Sequence, residues 1–146
     1  MLELDENVAL TAMLRKQVAY AAVLDLRIVR LTKASTVALA EWTPERTTTG
    51  NVLHGGYLMG CADAIGAVVA FYNLLEDAAG TTTIESKTNF FRAVRSGTIQ
   101  VRAAPVHVGS TTIVVQTDIV DDRDRLVSRT IQTQLVLRPD ANGGTP

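Results

Sequence analysis

Residues 51–75 read NVLHGGYLMGCADAIGAVVAFYNLL, an almost uncharged run that opens on His54-Gly55-Gly56 and carries one carboxylate, Asp63. Its apolar residues recur with the period of an α-helix, which predicts a helix over residues 56–74. Leu58, Cys61, Ala62, Ile65, Val68, Val69 and Tyr72 fall on one side, a broad apolar stripe suited to packing on a sheet. Gly56, Gly60, Asp63, Ala67, Ala70 and Leu74 fall on the other, a seam of small residues with the acid at its centre. A helix that is apolar or small on both sides is expected to be buried on both, and small residues let another backbone approach closely. The chain predicts no second long helix to fill that place, so the seam is expected to meet a second copy across a two-fold axis.

The two ends of this stretch have different chemistry. The first N–H groups of a helix point outward at its positive end, and glycine there lets a substrate oxygen come close, which suits a developing oxyanion. Asp63 is expected to be a buried acid. Burying an ionised carboxylate alone costs several kcal/mol, so the residue needs either a partner or a task. His54 and Asp63 lie nine residues apart, which on a continuous helix is about 13.5 Å of rise and roughly half a turn of rotation. One subunit's helix entrance and its own Asp63 are therefore expected to serve different substrates, with two composite sites in a dimer.

Outward from the helix, Glu6 to Ala19 carries apolar residues at near-helical spacing, a short helix at the edge of the domain. From Val23 the period changes to two, with Leu24, Leu26, Ile28 and Leu31, then Val37, Leu39 and Trp42, reading as a hairpin around Lys33-Ala34-Ser35. Thr43 to Gly50 reads as a loop. After the helix, four strand-like runs (81–91, 98–108, 111–120 and 126–137) are joined by tight connections, the spacing of an antiparallel meander. The whole of 1–146 is expected to be one domain, with 1–20 and a frayed tail at 139–146 on its edges.

Fourteen basic against fifteen acidic side chains leave a net charge of −1, with no basic stripe of the kind nucleic acid requires. The amino terminus lacks the pattern of a signal peptide, and no apolar run is expected to approach a membrane span, so a cytoplasmic protein without membrane or nucleic-acid partners is anticipated. Cys61 is the only cysteine and has no metal-ligand spacing around it, so no metal is expected. On the sheet-facing stripe it reads as a small buried hydrophobe rather than a nucleophile. His107 reads as structural, and Asp121-Asp122-Arg123-Asp124-Arg125 as a solvated turn. Phe90 and Phe91 are core residues by default, with an acyl channel as the alternative, and Tyr57 belongs either to a pocket wall or to the core.

HGG, six residues and then Asp, followed by TTTIESKTNFFRAVRSG at 81–97 and VSRTIQTQLVL at 127–137, resembles the hot dog fold thioesterases, in particular the phenylacetate-degradation (PaaI-type) branch. The resemblance covers about residues 20 to 138. It implies an α+β domain in which a long central helix is wrapped by a curved antiparallel sheet, assembled as side-by-side homodimers that often pair into tetramers. It implies hydrolysis of acyl-CoA or aryl-acyl-CoA thioesters, with the thioester as substrate and no cofactor. By position, Asp63 resembles the acid or nucleophile, Gly55 the backbone donor to the thioester carbonyl and His54 the residue that shapes the entrance, with Gly56 beside it. Thr83 falls where relatives keep a hydroxyl that orients water. Two departures stand out. Thr48 occupies a place where many relatives have Asn or Gln, leaving Asn51 as a substitute only if the loop is displaced, and Val108 and Ser110 stand where similar sequences place arginine near the nucleotide phosphates. Arg92 or Arg95 would then hold the phosphates, unless the acyl group rides on another carrier. Whether Asp63 attacks directly or activates water stays open at this level. Two other readings are a non-catalytic acyl-CoA-binding module, which has no need of Asp63, and an enoyl-CoA hydratase-type lyase with His54 as base.

Overall fold

The computed structural model describes residues 4–139; the expected frayed tail falls almost wholly outside the described residues. Two short helices come first, α1 (Val8–Gln17) and α2 (Ala19–Val23), then the hairpin β1 (Arg27–Leu31) and β2 (Thr36–Glu41). A short 3-10 turn at Pro44–Arg46 leads into a small hairpin, β3 (Thr47–Thr48) and β4 (Val52–Leu53), and directly into the long helix α3 (Gly55–Tyr72). Four strands follow: β5 (Gly80–Phe90), β6 (Thr98–Val108), β7 (Thr112–Val120) and β8 (Leu126–Leu137). The six longer strands form one antiparallel sheet in the order β1-β2-β6-β7-β8-β5. It wraps α3, as the α+β hot dog reading anticipates.

The elements depart from the sequence expectation at several points. The amino-terminal helix breaks at Val18, whose extended backbone separates α1 from α2. Leu24 and Leu26, expected in a strand, instead close α2 and flank Asp25, which adopts a positive φ of 56°. The predicted loop at 43–50 holds the 3-10 turn and β3, turned by Gly50 and Asn51 at φ of 78° and 56°. The long helix starts one residue early, at Gly55. It stops at Asn73, whose side chain donates to Val69 O and Lys33 O, both at 2.8 Å.

The two sheet edges are treated differently. Helix α1 lies on β1: Asn7 N donates to Ile28 O at 2.7 Å, and Ile28 N donates to Thr11 Oγ1 at 2.8 Å. Among the described residues β5 pairs only with β8, which leaves eleven residues of strand edge open. Such an edge is a ready template for another strand.

Apolar side chains from α3 and the central strands make the core. Leu58, Cys61, Ala62, Ile65 and Val69 are buried against Ile99, Val101, Ile113, Val115 and Ile119. Tyr72, placed on the same stripe from the sequence, is instead 38% exposed at the helix end. At 18 residues and a mean hydropathy of 1.3, α3 does reach the length and apolar character of a membrane span, contrary to the sequence expectation. Its stripe is consumed by the sheet of its own domain.

Candidate active site

The entrance of α3 is built by its own capping residue. His54 has extended backbone, its Nδ1 accepts from Gly56 N at 2.9 Å and its carbonyl accepts from Leu58 N at 3.1 Å. The loop is fixed from behind, because His54 N donates to Arg46 O and Leu53 N to Val94 O. Of the first two helical amides, that of Gly56 is thus engaged, while that of Gly55 has no acceptor among the described residues. A Cβ at Gly55 would stand 3.2 Å from the ring of Phe90, which is half-exposed beside this end of the helix rather than in the core. The neutral imidazole has one lone-pair nitrogen, and His54 uses it in the cap. The other nitrogen donates and cannot abstract a proton, which argues against His54 as the base of a lyase.

Beside the entrance is a groove of about 710 Å³ whose walls include His54, Gly56, Tyr57, Tyr20, Leu24 and Arg46. Tyr57 is half-buried, donates to Leu24 O at 2.8 Å and carries the Arg46 guanidinium 5.2 Å above its ring. It therefore serves as core and as groove wall at once, and burial raises its phenol above the ordinary value. Burial likewise pushes the Cys61 thiol up to about 12, so almost no thiolate exists near neutrality. That agrees with Cys61 as a buried hydrophobe. A larger depression of about 1120 Å³ lies on the opposite face of the sheet, lined by Gln100, Arg102, Asp118 and Asp124, and includes none of the candidate residues.

Asp63 differs from its sequence expectation. It is exposed in the single chain rather than buried, because the outward row of α3 runs through Met59, Asp63 and Phe71. The seam expected from the helical wheel is partly filled from within the chain. Tyr20 and Leu24 cover Gly60, and Ala70 is buried. What remains open is the part around Asp63 and, at the helix entrance, Gly56.

The carboxylate is nonetheless held. Thr83 Oγ1 donates to Asp63 Oδ1 at 2.9 Å, and Gln132 Nε2 approaches the same oxygen at 3.3 Å. Gln134 Nε2 in turn donates to Thr83 Oγ1 at 2.6 Å. Asp63 Oδ2 has no partner among the described residues. The sequence singles out Thr83 but not the two glutamines. Their signal was Ser128, Thr130, Gln132 and Gln134 at alternate positions, a polar row on the face of β8 that should have been apolar.

The remaining candidates divide. Arg92 and Arg95 are exposed on the connection after β5, without an ion pair among the described residues; this connection holds Val94, bonded to Leu53 beside the entrance. Asn51 sits at the tip of the β3–β4 hairpin, exposed, with its carbonyl accepting from Trp42 Nε1 at 3.1 Å. No contact among the described residues brings its side chain to the entrance.

Known proteins agree with this architecture. The thioesterase superfamily profile matches residues 50–128. A provisionally named esterase of Saccharolobus solfataricus is 31% identical over 115 residues, 79% of this chain and 81% of its own. The 1,4-dihydroxy-2-naphthoyl-CoA hydrolase of Escherichia coli is 33% identical over 86 residues, 59% of this chain and 62% of its own. Among solved structures, a provisionally named thioesterase of Ralstonia eutropha, related to phenylacetic acid degradation, superposes with a TM-score of 0.76 at 24% identity, covering 86% of this chain and 98% of its own. The chain belongs to the thioesterase superfamily, with the hot dog fold of the PaaI-like neighbours, and is a thioester hydrolase.

Proposed function

We propose that the protein hydrolyses acyl-CoA or aryl-acyl-CoA thioesters, with Asp63 as base or nucleophile and the Gly55 amide as oxyanion donor. The observation that carries this reading is the Asp63 carboxylate, fixed through Oδ1 by Thr83 and Gln132 and free at Oδ2 on an open helix face. A thioester carbonyl becomes an oxyanion in the transition state, and one preorganised donor there is worth about 3 kcal/mol. The free Gly55 amide at the positive end of an 18-residue helix supplies such a donor. Either Asp63 takes a proton from water while the water oxygen bonds to the acyl carbon, or its carboxylate forms that bond first and water cleaves the resulting anhydride. In both routes the C–S bond breaks, and the sulfur leaves as the thiolate and is protonated.

Gly55 and Asp63 are eight residues apart on one rigid helix, a rise of about 12 Å, too far to act on one carbonyl. The proposed site is therefore composite, with the Gly55 of one subunit facing the Asp63 of its partner in a homodimer, which can pair further into a tetramer. The open β5 edge and the exposed Phe71, Leu75 and Ile84 support such a partner surface. Arg92 and Arg95, on the connection tied to the entrance, are placed to meet the nucleotide phosphates. The E. coli relative is named for hydrolysis of a CoA thioester, which supports CoA as the carrier.

Release of free thiol from a panel of acyl-CoA and aryl-acyl-CoA substrates tests the reading, with Asp63→Asn as the control. A loss of about a hundredfold to ten-thousandfold in kcat is expected. Full activity in Asp63→Asn would sink the assignment, and a compact monomer at micromolar concentration would sink the composite site.

A further inference from the structure

Two buried amides behind Asp63 are out of place in a core. Gln132 and Gln134 are 0% and 1% exposed, and the Oε1 atom of each lacks a hydrogen-bond partner among the described residues. A leucine at either position would leave no orphaned carbonyl, and an unpaired buried acceptor is destabilising. The backbone is also shaped around Gln132: a Cβ at Gly66 would lie 2.3 Å from its Oε1, so only glycine at this turn of α3 lets the amide pass under the helix to Asp63.

From this arrangement we infer that Gln132 and Gln134 are positioning residues for the hydrolysis, aligning Asp63 through a one-way chain of donors. The direction follows from the acceptor at its end. An ionised carboxylate only accepts, so the single hydroxyl proton of Thr83 points to Asp63 Oδ1, and Gln134 must present its nitrogen to Thr83. Gln132 presents its nitrogen to the same Oδ1 at 3.3 Å and to the Asp63 carbonyl at 3.4 Å. Both amide orientations are thereby dictated by Asp63, and the two orphaned carbonyls are what that orientation leaves behind. The chain pins one carboxylate oxygen and turns Oδ2 towards the open face. Thr83, with its proton committed, is a link in this chain and does not itself donate to water.

The inference rests on Asp63 as the reacting carboxylate, and its test separates the two ideas. Steady-state thiol release and thermal melting are measured for Asp63→Asn, Gln132→Leu, Gly66→Ala, Gln134→Met and Thr83→Val. Gln132→Leu is expected to lower kcat by about tenfold to a hundredfold, the worth of a hydrogen bond to a charged group, with KM within about twofold. Its melting temperature is expected to be no lower than the parent's, whereas a merely structural glutamine would lower it. Gly66→Ala, which displaces the Gln132 amide, is expected to reproduce the kcat loss. Gln134→Met is expected to cost about fivefold in the parent but nothing further in Thr83→Val, since it acts only through that hydroxyl. Thr83→Ser, which keeps the donor, is expected to restore most of the rate lost in Thr83→Val. If Gln132→Leu does not fold, Gln132→Met keeps the side-chain length and carries the same expectation. An inactive Asp63→Asn beside Gln132 variants of parental kcat would overturn the inference alone; an active Asp63→Asn would overturn the proposed function beneath it.

Discussion

The surface that the sheet turns towards α3 has two unlike halves. On β6 and β7 it consists of Ile99, Val101, Ala103, Ile113, Val115 and Ile119, all buried, with Thr117 the one polar exception. On β8 and β5 the same surface carries Ser128, Thr130, Gln132 and Gln134 beside Thr83 and Thr88, whose hydroxyl bonds Thr130 at 2.7 Å. Both halves face one helix, so the difference does not come from burial as such. The apolar half closes on the Ile65 and Val69 side of α3, and the polar half closes on the Asp63 and Gly66 side. On the proposed function, one helix is thus held for stability on one side and for chemistry on the other.

The comparison breaks most visibly if the two halves exchange phenotypes. Ile113→Ala removes a buried side chain from the apolar half and is expected to cost about 2–5 kcal/mol of unfolding free energy in denaturant titrations. Its folded fraction is expected to turn over within about twofold of the parent. Asp63→Asn is expected to do the reverse: an exposed, isosteric change that leaves the denaturation midpoint nearly in place and lowers thiol release by about a hundredfold or more. An Asp63→Asn protein that unfolds as readily as Ile113→Ala would mean that the polar half also carries the fold.

The cap at the head of the helix belongs to both halves, and smaller effects are expected there. His54→Ala removes the acceptor for Gly56 N and should cost about 1 kcal/mol. It also frees a second amide beside Gly55. His54→Asn restores a capping acceptor, so stability should recover while activity reports whether the imidazole itself meets substrate. Recovery of both to parental values would assign His54 to capping alone.

Much of this contrast was legible before the fold was known. The stripe from Leu58 to Val69 follows from a 3.6-residue period, and the β6 and β7 half follows from Ile and Val at alternate positions. The polar half was legible only in part. A helical wheel places Asp63 on a second face but does not say whether water, a strand or another copy covers that face, which is why the acid was expected to be buried. The β3–β4 hairpin depends on backbone contacts that a periodic pattern does not encode, such as His54 with Arg46 and Leu53 with Val94. Gln132 and Gln134 sit 69 and 51 residues from the groups they bond, a pairing that local pattern does not encode.

The turn that joins the two halves, from β7 to β8, should show a pH-dependent effect. Asp121 is a buried acid there, more than the solvated turn expected from the sequence. Burial alone would raise its carboxyl, but the Arg125 side chain at 2.9 Å and the amides of Arg125 and Arg123 outweigh it, so it lies below its ordinary value of 3.8. A depressed folded-state value stabilises the protein fully above the ordinary value, and this stabilisation is lost as the pH falls through the folded-state value. Asp121→Asn is expected to cost about 1 kcal/mol at pH 7, with the gap to the parent closing in acid below 3.8. A gap independent of pH would show that the side chain acts by shape alone.

The smallest expected effect falls on Cys61, the one nucleophilic side chain among the apolar residues of α3. It is 0% exposed, and burial lifts its thiol to about 12. At pH 8 the thiolate fraction is then on the order of one in ten thousand, and an alkylating reagent must also wait for the core to open. Folded protein incubated with iodoacetamide at pH 8 is expected to keep its mass and its rate of thiol release, and to be labelled only in denaturant. Cys61→Ala is expected to retain parental kcat with a modest loss of stability from the volume removed. Rapid alkylation with loss of activity would place reactive chemistry in the apolar half, and the division between a stabilising side and a chemical side of α3 would not survive it.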